Sequence, residues 1–285
     1  MFDGFVEDRI ETSGATIRVR YGGTGPAVLL LHGNPQTSAM WRHVAAHLKD
    51  RFTLICPDLR GYGLSSKPPA GPDHVNYSKR AMAQDMVEVM DSLGHRDFFL
   101  CGHDRGGRVA HRLAYDHADR VKKLCVLDIA PTREMYANTS DEFARAYWHW
   151  FFMILPAPEP ERMMQADPDA FWLARCAENG TDLFDEALDE YLTTFRDPET
   201  IRATCDDYRA AASIDIAHDD AESRKLPMPV HCLWGANGVI ERCFDPLALW
   251  RLRAETATGR SLSTGHYMAE EAPDEIADEL AGFFQ

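Results

Sequence analysis

The sequence predicts an α/β fold in which a mostly parallel sheet is flanked by helices and covered by an inserted helical cap. Three observations carry this expectation. Short apolar runs alternate with stretches of amphipathic helical spacing, the pattern of parallel strands joined by helices. That alternation stops after Asp128 and resumes at Pro229, with proline-rich turns such as 155–160 and stretches rich in Trp, Phe, Tyr and Met in between. At 285 residues, 45% apolar and 26% charged, the chain is long enough for one large core with a subdomain, and disordered and fibrous classes are excluded.

From the N-terminus, a first strand is expected at 17–21 and a second at 27–31, where Ala-Val-Leu-Leu-Leu is apolar throughout, as a strand buried on both faces requires. Helical spacing at 38–48 leads to a strand at 53–56. A long amphipathic stretch at 77–93 leads to Phe-Phe-Leu-Cys at 98–101, and a helix at 106–117 leads to a strand at 124–127. Beyond the interruption, strands at 230–234 and, less regularly, 260–263 precede a last helix at 274–284. The expected division is a core of 1–132 and 227–285 enclosing a cap of 133–226. Ligands of open α/β sheets bind beyond the carboxyl ends of the strands, so such a cap roofs the site.

A formal net charge of −15 argues against nucleic acid or an anionic membrane as partner, and requires any anion site to be built from local arginines. Seven cysteines without a C-x-x-C pair, several inside apolar runs, read as reduced core residues. The first residues lack a basic segment followed by an apolar one, and nowhere do eighteen apolar residues run together, which leads to the expectation of a soluble, cytoplasmic protein. Gly22-Gly23-Thr24-Gly25 precedes a strand, whereas a phosphate loop follows one. No Cys/His set has zinc spacing, so neither a metal nor another cofactor is expected.

Residues 102–107 read Gly-His-Asp-Arg-Gly-Gly, directly after an apolar run. This is the layout of the sharp strand-to-helix turn on which enzymes of the α/β-hydrolase fold expose a nucleophile, written G-x-S-x-G, with Asp104 in the serine position. A serine must be deprotonated to attack an acyl carbonyl. A carboxylate is already ionised at neutral pH and can displace a leaving group from an sp3 carbon, forming an ester. Three further features fall in chain order around it. Leu31-His32-Gly33-Asn34-Pro35 follows a strand and supplies the backbone N–H of Asn34 to an oxyanion hole completed by that of Arg105. Asp128 ends the next strand as the candidate acid, and His266 lies on a loop before the last helix as the candidate base. Many such enzymes carry the acid later, in W-G-x-x-D; here Trp234-Gly235-Ala236-Asn237-Gly238 offers glycine, so the role falls to Asp128, with Asp245 a distant second.

Gly-His-Asp-Arg-Gly-Gly-Arg at 102–108, Leu-Asp-Ile-Ala-Pro-Thr at 127–132, Trp-His-Trp-Phe-Phe at 148–152 and Asp-Tyr-Arg-Ala at 207–210 resemble the fluoroacetate (haloacetate) dehalogenases over nearly the whole chain. Arg105 and Arg108, three apart at a helix start, are expected to share one face and hold a substrate carboxylate; an ion pair of Arg108 with a nearby Asp is the alternative. The resemblance implies that His149, Trp150 and Tyr208 donate hydrogen bonds to the leaving halide, and that the enzyme is a homodimer. It also exposes a departure, because haloacid dehalogenases usually have Phe where Asn34 stands. The competing expectations are a haloalkane dehalogenase, an epoxide hydrolase using Tyr208 with Tyr147 or Tyr191, and a catalytically silent ligand-binding protein of this fold.

Overall fold

A computed structural model describes residues 1–176 and 180–285. Among these, eight strands form one sheet in the order β1-β2-β4-β3-β5-β6-β7-β8: β1 Val6–Glu11, β2 Thr16–Gly23, β3 Ala27–Leu31, β4 Thr53–Pro57, β5 Phe98–His103, β6 Val121–Leu127, β7 Val230–Gly235 and β8 Ala257–Leu262. The β1/β2 and β2/β4 pairs are antiparallel, and the remainder of the sheet is parallel.

The continuous apolar runs are explained by burial on both faces. In β3, Val28 and Leu30 pack with helices Arg42–Leu48 and Pro273–Phe283 and with cap aromatics. Ala27, Leu29 and Leu31 face helices Lys79–Ser92 and Asp104–Asp116 on the opposite side. The period-2 pleat therefore feeds two cores from one strand.

Two differences from the sequence reading have the same cause. β1, Val-Glu-Asp-Arg-Ile-Glu, was not anticipated: it is an edge strand with Ile10 its one buried residue, so it carries no apolar run. At the other edge β8 begins at Ala257, three residues before the expected 260, because its exposed residues are polar. Edge strands are specified by backbone pairing more than by hydrophobic pattern. The expected helix at 38–48 is a 3-10 turn, Ser38–Trp41, followed by Arg42–Leu48. The helix expected at 106–117 starts two residues early, at Asp104 itself.

Between β6 and β7 the described residues are helical, from Thr132–Ala137 through Asp141–Ala146, Trp148–Met153, Glu159–Ala166, Pro168–Cys176, Leu188–Phe195 and Pro198–Ala211 to Ile214–Asp220. This cap is latched to the core by Glu190, which accepts from Arg20 at 2.6 Å and from Thr37 at 2.6 Å. No helix among the described residues is long and apolar enough to cross a membrane.

Candidate active site

β5 delivers His103 in extended conformation, and the next residue turns sharply: Asp104 has φ +41°. The flanking glycines make this turn possible. A Cβ at Gly106 would stand 2.5 Å from the Leu31 carbonyl oxygen, and one at Gly102 would stand 2.5 Å from that of Gly106, so helix and strand approach too closely for any side chain. The strained residue is thus the one that presents its carboxylate to the cap.

Asp104 is buried, and its Oδ2 accepts from the Asn34 N–H at 3.1 Å. The other expected backbone donor, Arg105, lies in the first helical turn, where an N–H has no intrahelical acceptor. Burial pushes the Asp104 carboxyl up, but the charges of His266, Arg108 and Arg105 outweigh it and hold it below the usual carboxylate range. The nucleophile candidate is ionised.

Asp128 also sits at positive φ, +49°, at the end of β6. Its Oδ2 is 2.6 Å from His266 Nδ1 and its Oδ1 accepts from the Gly235 N–H at 3.0 Å. With Nδ1 donating to the carboxylate, Nε2 is the nitrogen left for chemistry. Burial lowers the His266 pKa, yet the hydrogen bond and charge of Asp128 dominate, and the imidazole is raised above its ordinary value. His103, which the sequence reading passed over, donates Nε2–H to the His266 carbonyl at 2.8 Å; burial, then the charge of His266, pushes it down to about 3, so it stays neutral. Asp245 is remote from this group: its side chain accepts from Ala248 N–H at 2.9 Å and caps helix Pro246–Arg253. A Cβ at Gly238 would lie 3.4 Å from Asp128 Oδ1, so the two possible acid positions converge on one spot.

The arginines do not form the matched pair expected of them. Arg105 is bidentate on Asp207, Nε to Oδ2 and Nη2 to Oδ1 both at 2.8 Å, and its guanidinium stacks 4.1 Å over the Tyr208 ring. Asp207 also accepts from Tyr62 at 2.6 Å and from Lys79, and the Arg105 and Lys79 charges hold it well below the carboxylate range against its burial. Arg108 instead donates to Thr132 Oγ1 at 2.9 Å and the Ala130 carbonyl at 3.3 Å, and stacks 4.6 Å over Trp150. Hence the arginine that pairs with an aspartate is Arg105, not Arg108. Spacing of three residues aligns the Cβ atoms, but side chains this long follow their partners, one toward helix Pro198–Ala211 and the other toward the start of the cap.

A cavity of about 320 Å³ reaches Asp104 and His266 and is walled by Tyr147, His149, Trp150 and Arg175, among others. Arg105, Arg108 and Tyr208 are not among the residues that wall it; the Tyr208 ring lies 6.1 and 6.3 Å from those of His149 and Trp150, Arg108 stacks on Trp150, and Arg105 stacks on Tyr208. Tyr191 is committed elsewhere, donating to Glu270 at 2.9 Å. Arg175 was missed by sequence reading because nothing local marks it: it lies on helix Pro168–Cys176, and its partner Asn34 is 141 residues away.

An eight-stranded, mostly parallel sheet bearing a buried Asp–His–Asp set at its strand ends under a helical cap defines a hydrolase of the α/β type with a carboxylate in the nucleophile position. The family described as alpha/beta hydrolase fold matches residues 26–172. Fluoroacetate dehalogenase from Burkholderia sp is 45% identical over 99% of this chain and 95% of its own length. Soluble epoxide hydrolase from Corynebacterium sp. (strain C12) is 32% identical, covering 92% and 91%. The crystal structure of ALR0039 from Nostoc sp PCC 7120 superposes with TM-score 0.98 at 49% identity, covering 100% of this chain and 99% of that one. The chain belongs to the haloacetate dehalogenase family of the α/β-hydrolase fold.

Proposed function

We propose that the protein is a hydrolytic dehalogenase that converts fluoroacetate and related haloacetates, with water, to glycolate and halide. One observation carries this reading: Asn34 Nδ2, Arg105 Nη1, Arg108 Nε and Tyr208 Oη are buried donors with no acceptor among the described residues, grouped around an ionised carboxylate. Each buried donor left unsatisfied costs about 1–3 kcal/mol, so a concentration of them suits a ligand that brings negative charge. A haloacetate brings it twice, as carboxylate and as departing halide.

In the first step an Asp104 oxygen attacks the halogen-bearing carbon; the C–O bond forms as the C–X bond breaks, and its electron pair leaves with the halide. Arg105 and Arg108 hold the carboxylate, while His149, Trp150 and Tyr208 donate to the halide. Burial, with the charges of Arg175 and His266 adding to it, pushes the His149 pKa far down, so His149 donates as a neutral ring. In the second step His266 Nε2 takes a proton from water and the hydroxide adds to the Asp104 ester carbonyl, with the Asn34 and Arg105 N–H groups stabilising the oxyanion; on collapse the bond from the carbonyl carbon to the glycolate oxygen breaks, that oxygen takes the proton back from His266, and the regenerated Asp104 carboxyl loses its own proton to solvent. No cofactor takes part in this scheme.

The Corynebacterium relative favours a second reading, an epoxide hydrolase with Tyr147 or Tyr208 as proton donor. The experiment that separates them is halide release from fluoro-, chloro- and bromoacetate beside an epoxide and a haloalkane, together with mass spectrometry of His266→Asn after chloroacetate. A covalent adduct on the peptide containing Asp104 is expected. Absence of an adduct, with halide release at the wild-type rate, overturns the scheme.

A further inference from the structure

We propose that Arg175 is a substrate-binding residue that supplies the counter-charge for the incoming carboxylate, making selection of an anionic over a neutral substrate a property of the cap. The inference deepens the dehalogenase reading and rests on it for the reaction, though not for the binding.

The charges around the nucleophile are nearly spent before substrate arrives. Arg105 and Lys79 are both bonded to Asp207, and Lys79 lies 3.4 Å from Asp215 as well, so these four groups balance one another. Among the described residues Arg108 forms no ion pair with a carboxylate; burial pushes its guanidinium down, and the charge of Asp104 is the main counterweight. A substrate carboxylate therefore needs one further cation. Of the guanidiniums walling the cavity, Arg145 pairs with Asp141 at 2.7 Å and Arg242 with Glu142 at 3.5 Å, both near the surface. Arg175 has no carboxylate partner among the described residues, and its Nε is buried without an acceptor.

The side chain is also held in place in advance. Arg175 Nη1 donates to the Asn34 side-chain oxygen, and Trp172, three residues earlier on the same helix, donates to the Pro35 carbonyl at 3.0 Å. Two consecutive residues of the loop that binds Asp104 through its backbone are thus gripped by one cap helix. With the Asn34 oxygen occupied by Arg175, the Asn34 Nδ2 and the Arg175 Nε are both buried donors without an acceptor among the described residues. A substrate carboxylate brings the acceptors that both lack. Arg175 and Asp104 wall the same cavity, so the guanidinium shares it with the candidate nucleophile. In a protein of net charge −15, such a local cation is what an anionic substrate meets after a repulsive approach.

The test uses the full-length protein as wild type, Arg175→Gln and Arg175→Lys, with kcat and KM for chloroacetate and the Kd of glycolate, the carboxylate product, by calorimetry. Arg175→Gln is expected to raise both KM and the glycolate Kd at least tenfold while kcat changes less than threefold. Arg175→Lys, which keeps the charge without the planar fork, should recover most of the affinity, and the salt dependence of kcat/KM should flatten only in the Gln variant. Equal loss in both variants, with kcat reduced and glycolate affinity unchanged, would mean that Arg175 merely clamps the cap to Asn34, and would overturn the proposal. So would unchanged KM and Kd in Arg175→Gln. If the Gln variant fails to fold, glycolate affinity in Arg175→Lys against wild type decides: retention supports the charge role and a tenfold loss refutes it. Wild type that binds glycolate through Arg175 yet releases halide from no haloacetate would sink the dehalogenase reading and leave this inference standing.

Discussion

Moving the acid from position 128 to position 238 should first abolish and then restore ester hydrolysis. Asp128→Asn keeps the shape of the side chain but removes the charge that the His266 Nδ1–H donates to at 2.6 Å. A hydrogen bond to a charged group contributes about 1.5–3 kcal/mol, so the hydrolytic step should slow by at least about tenfold from that alone. Where an amide locks the imidazole in the wrong tautomer, the loss approaches about 10⁴-fold. The second change is Gly238→Asp in that background. Gly238 has φ −88° and ψ 174°, ordinary extended backbone open to any residue. A Cβ there would lie 3.4 and 3.7 Å from the two Asp128 oxygens, and a carboxylate oxygen extends about 2.4 Å beyond its Cβ, enough to reach toward Nδ1. The tightest neighbour is the Gly235 carbonyl oxygen at 3.1 Å, which a small backbone shift relieves. We expect Asp128→Asn to show a stoichiometric burst of halide followed by slow turnover, and the double variant to recover at least tenfold of the steady-state rate in a stopped-flow halide assay. Gly238→Asp alone should lose activity, since two adjacent carboxylates repel and one takes up a proton. A folded double variant no faster than Asp128→Asn would refute the geometric equivalence of the two positions; a fully active Asp128→Asn would refute the role of Asp128.

Further outcomes follow from the same geometry. As pH falls, His266 should protonate at a pH above its ordinary 6.5, because its folded pKa is raised, while Asp104 stays ionised because its own is lowered; the acid limb of steady-state turnover should therefore lie above about pH 6.5 with the halide burst preserved below it, and loss of the burst on the same limb would contradict this. Trp150→Phe or Tyr208→Phe should slow fluoroacetate turnover by a larger factor than chloroacetate turnover, since fluoride concentrates its charge; equal losses would mean these rings only shape the pocket. Asp207→Asn should leave Arg105 and Lys79 buried without their shared anion, costing about 3–5 kcal/mol and lowering Tm by on the order of 5–10 °C in thermal unfolding. An unchanged Tm would show that the buried charges have another partner.

The parallel strands were legible because each sits between two apolar layers, so β3 and the Phe98–Cys101 run of β5 are apolar without interruption. The nucleophile turn was legible for a steric reason: the close approach of Gly106 to the Leu31 carbonyl admits no other residue, and glycines at fixed offsets survive as a readable pattern. β1 was not legible, because a polar edge strand is defined by pairing with β2, which leaves no trace in hydropathy. The fates of the arginines were hidden for a related reason. Asp207 is 102 residues from Arg105, and Asn34 is 141 from Arg175; helical spacing reports which Cα atoms are neighbours, whereas a guanidinium six bonds away is claimed by whatever the cap brings over it.

That the cap claims them bears on where specificity resides. Asp104 at the start of helix Asp104–Asp116, His103 at the end of β5, Asp128 just after β6 and His266 on a loop all belong to the core, and the His103–His266 and Asp128–His266 hydrogen bonds close within it. The cations that would recognise a substrate charge are different. Arg105 is oriented by Asp207 and Tyr208 of one cap helix, Arg108 by Thr132 and Trp150 of two others, and Arg175 belongs to the cap outright. Without the cap helices, Arg105 would lose Asp207 and Tyr208, and Arg108 would keep only the Ala130 carbonyl of its named partners. Burying a cation is costly unless it is hydrogen-bonded or paired, so the arginines and the cap helices stabilise one another, and a bound substrate anion would satisfy the donors that remain. On the dehalogenase function proposed above, discrimination between an anionic haloacid and a neutral epoxide or haloalkane would be a property of the seam between cap and core. Exchanging charge preference should require changes at 105, 175 and 207 while the nucleophile, acid and base are left as they are.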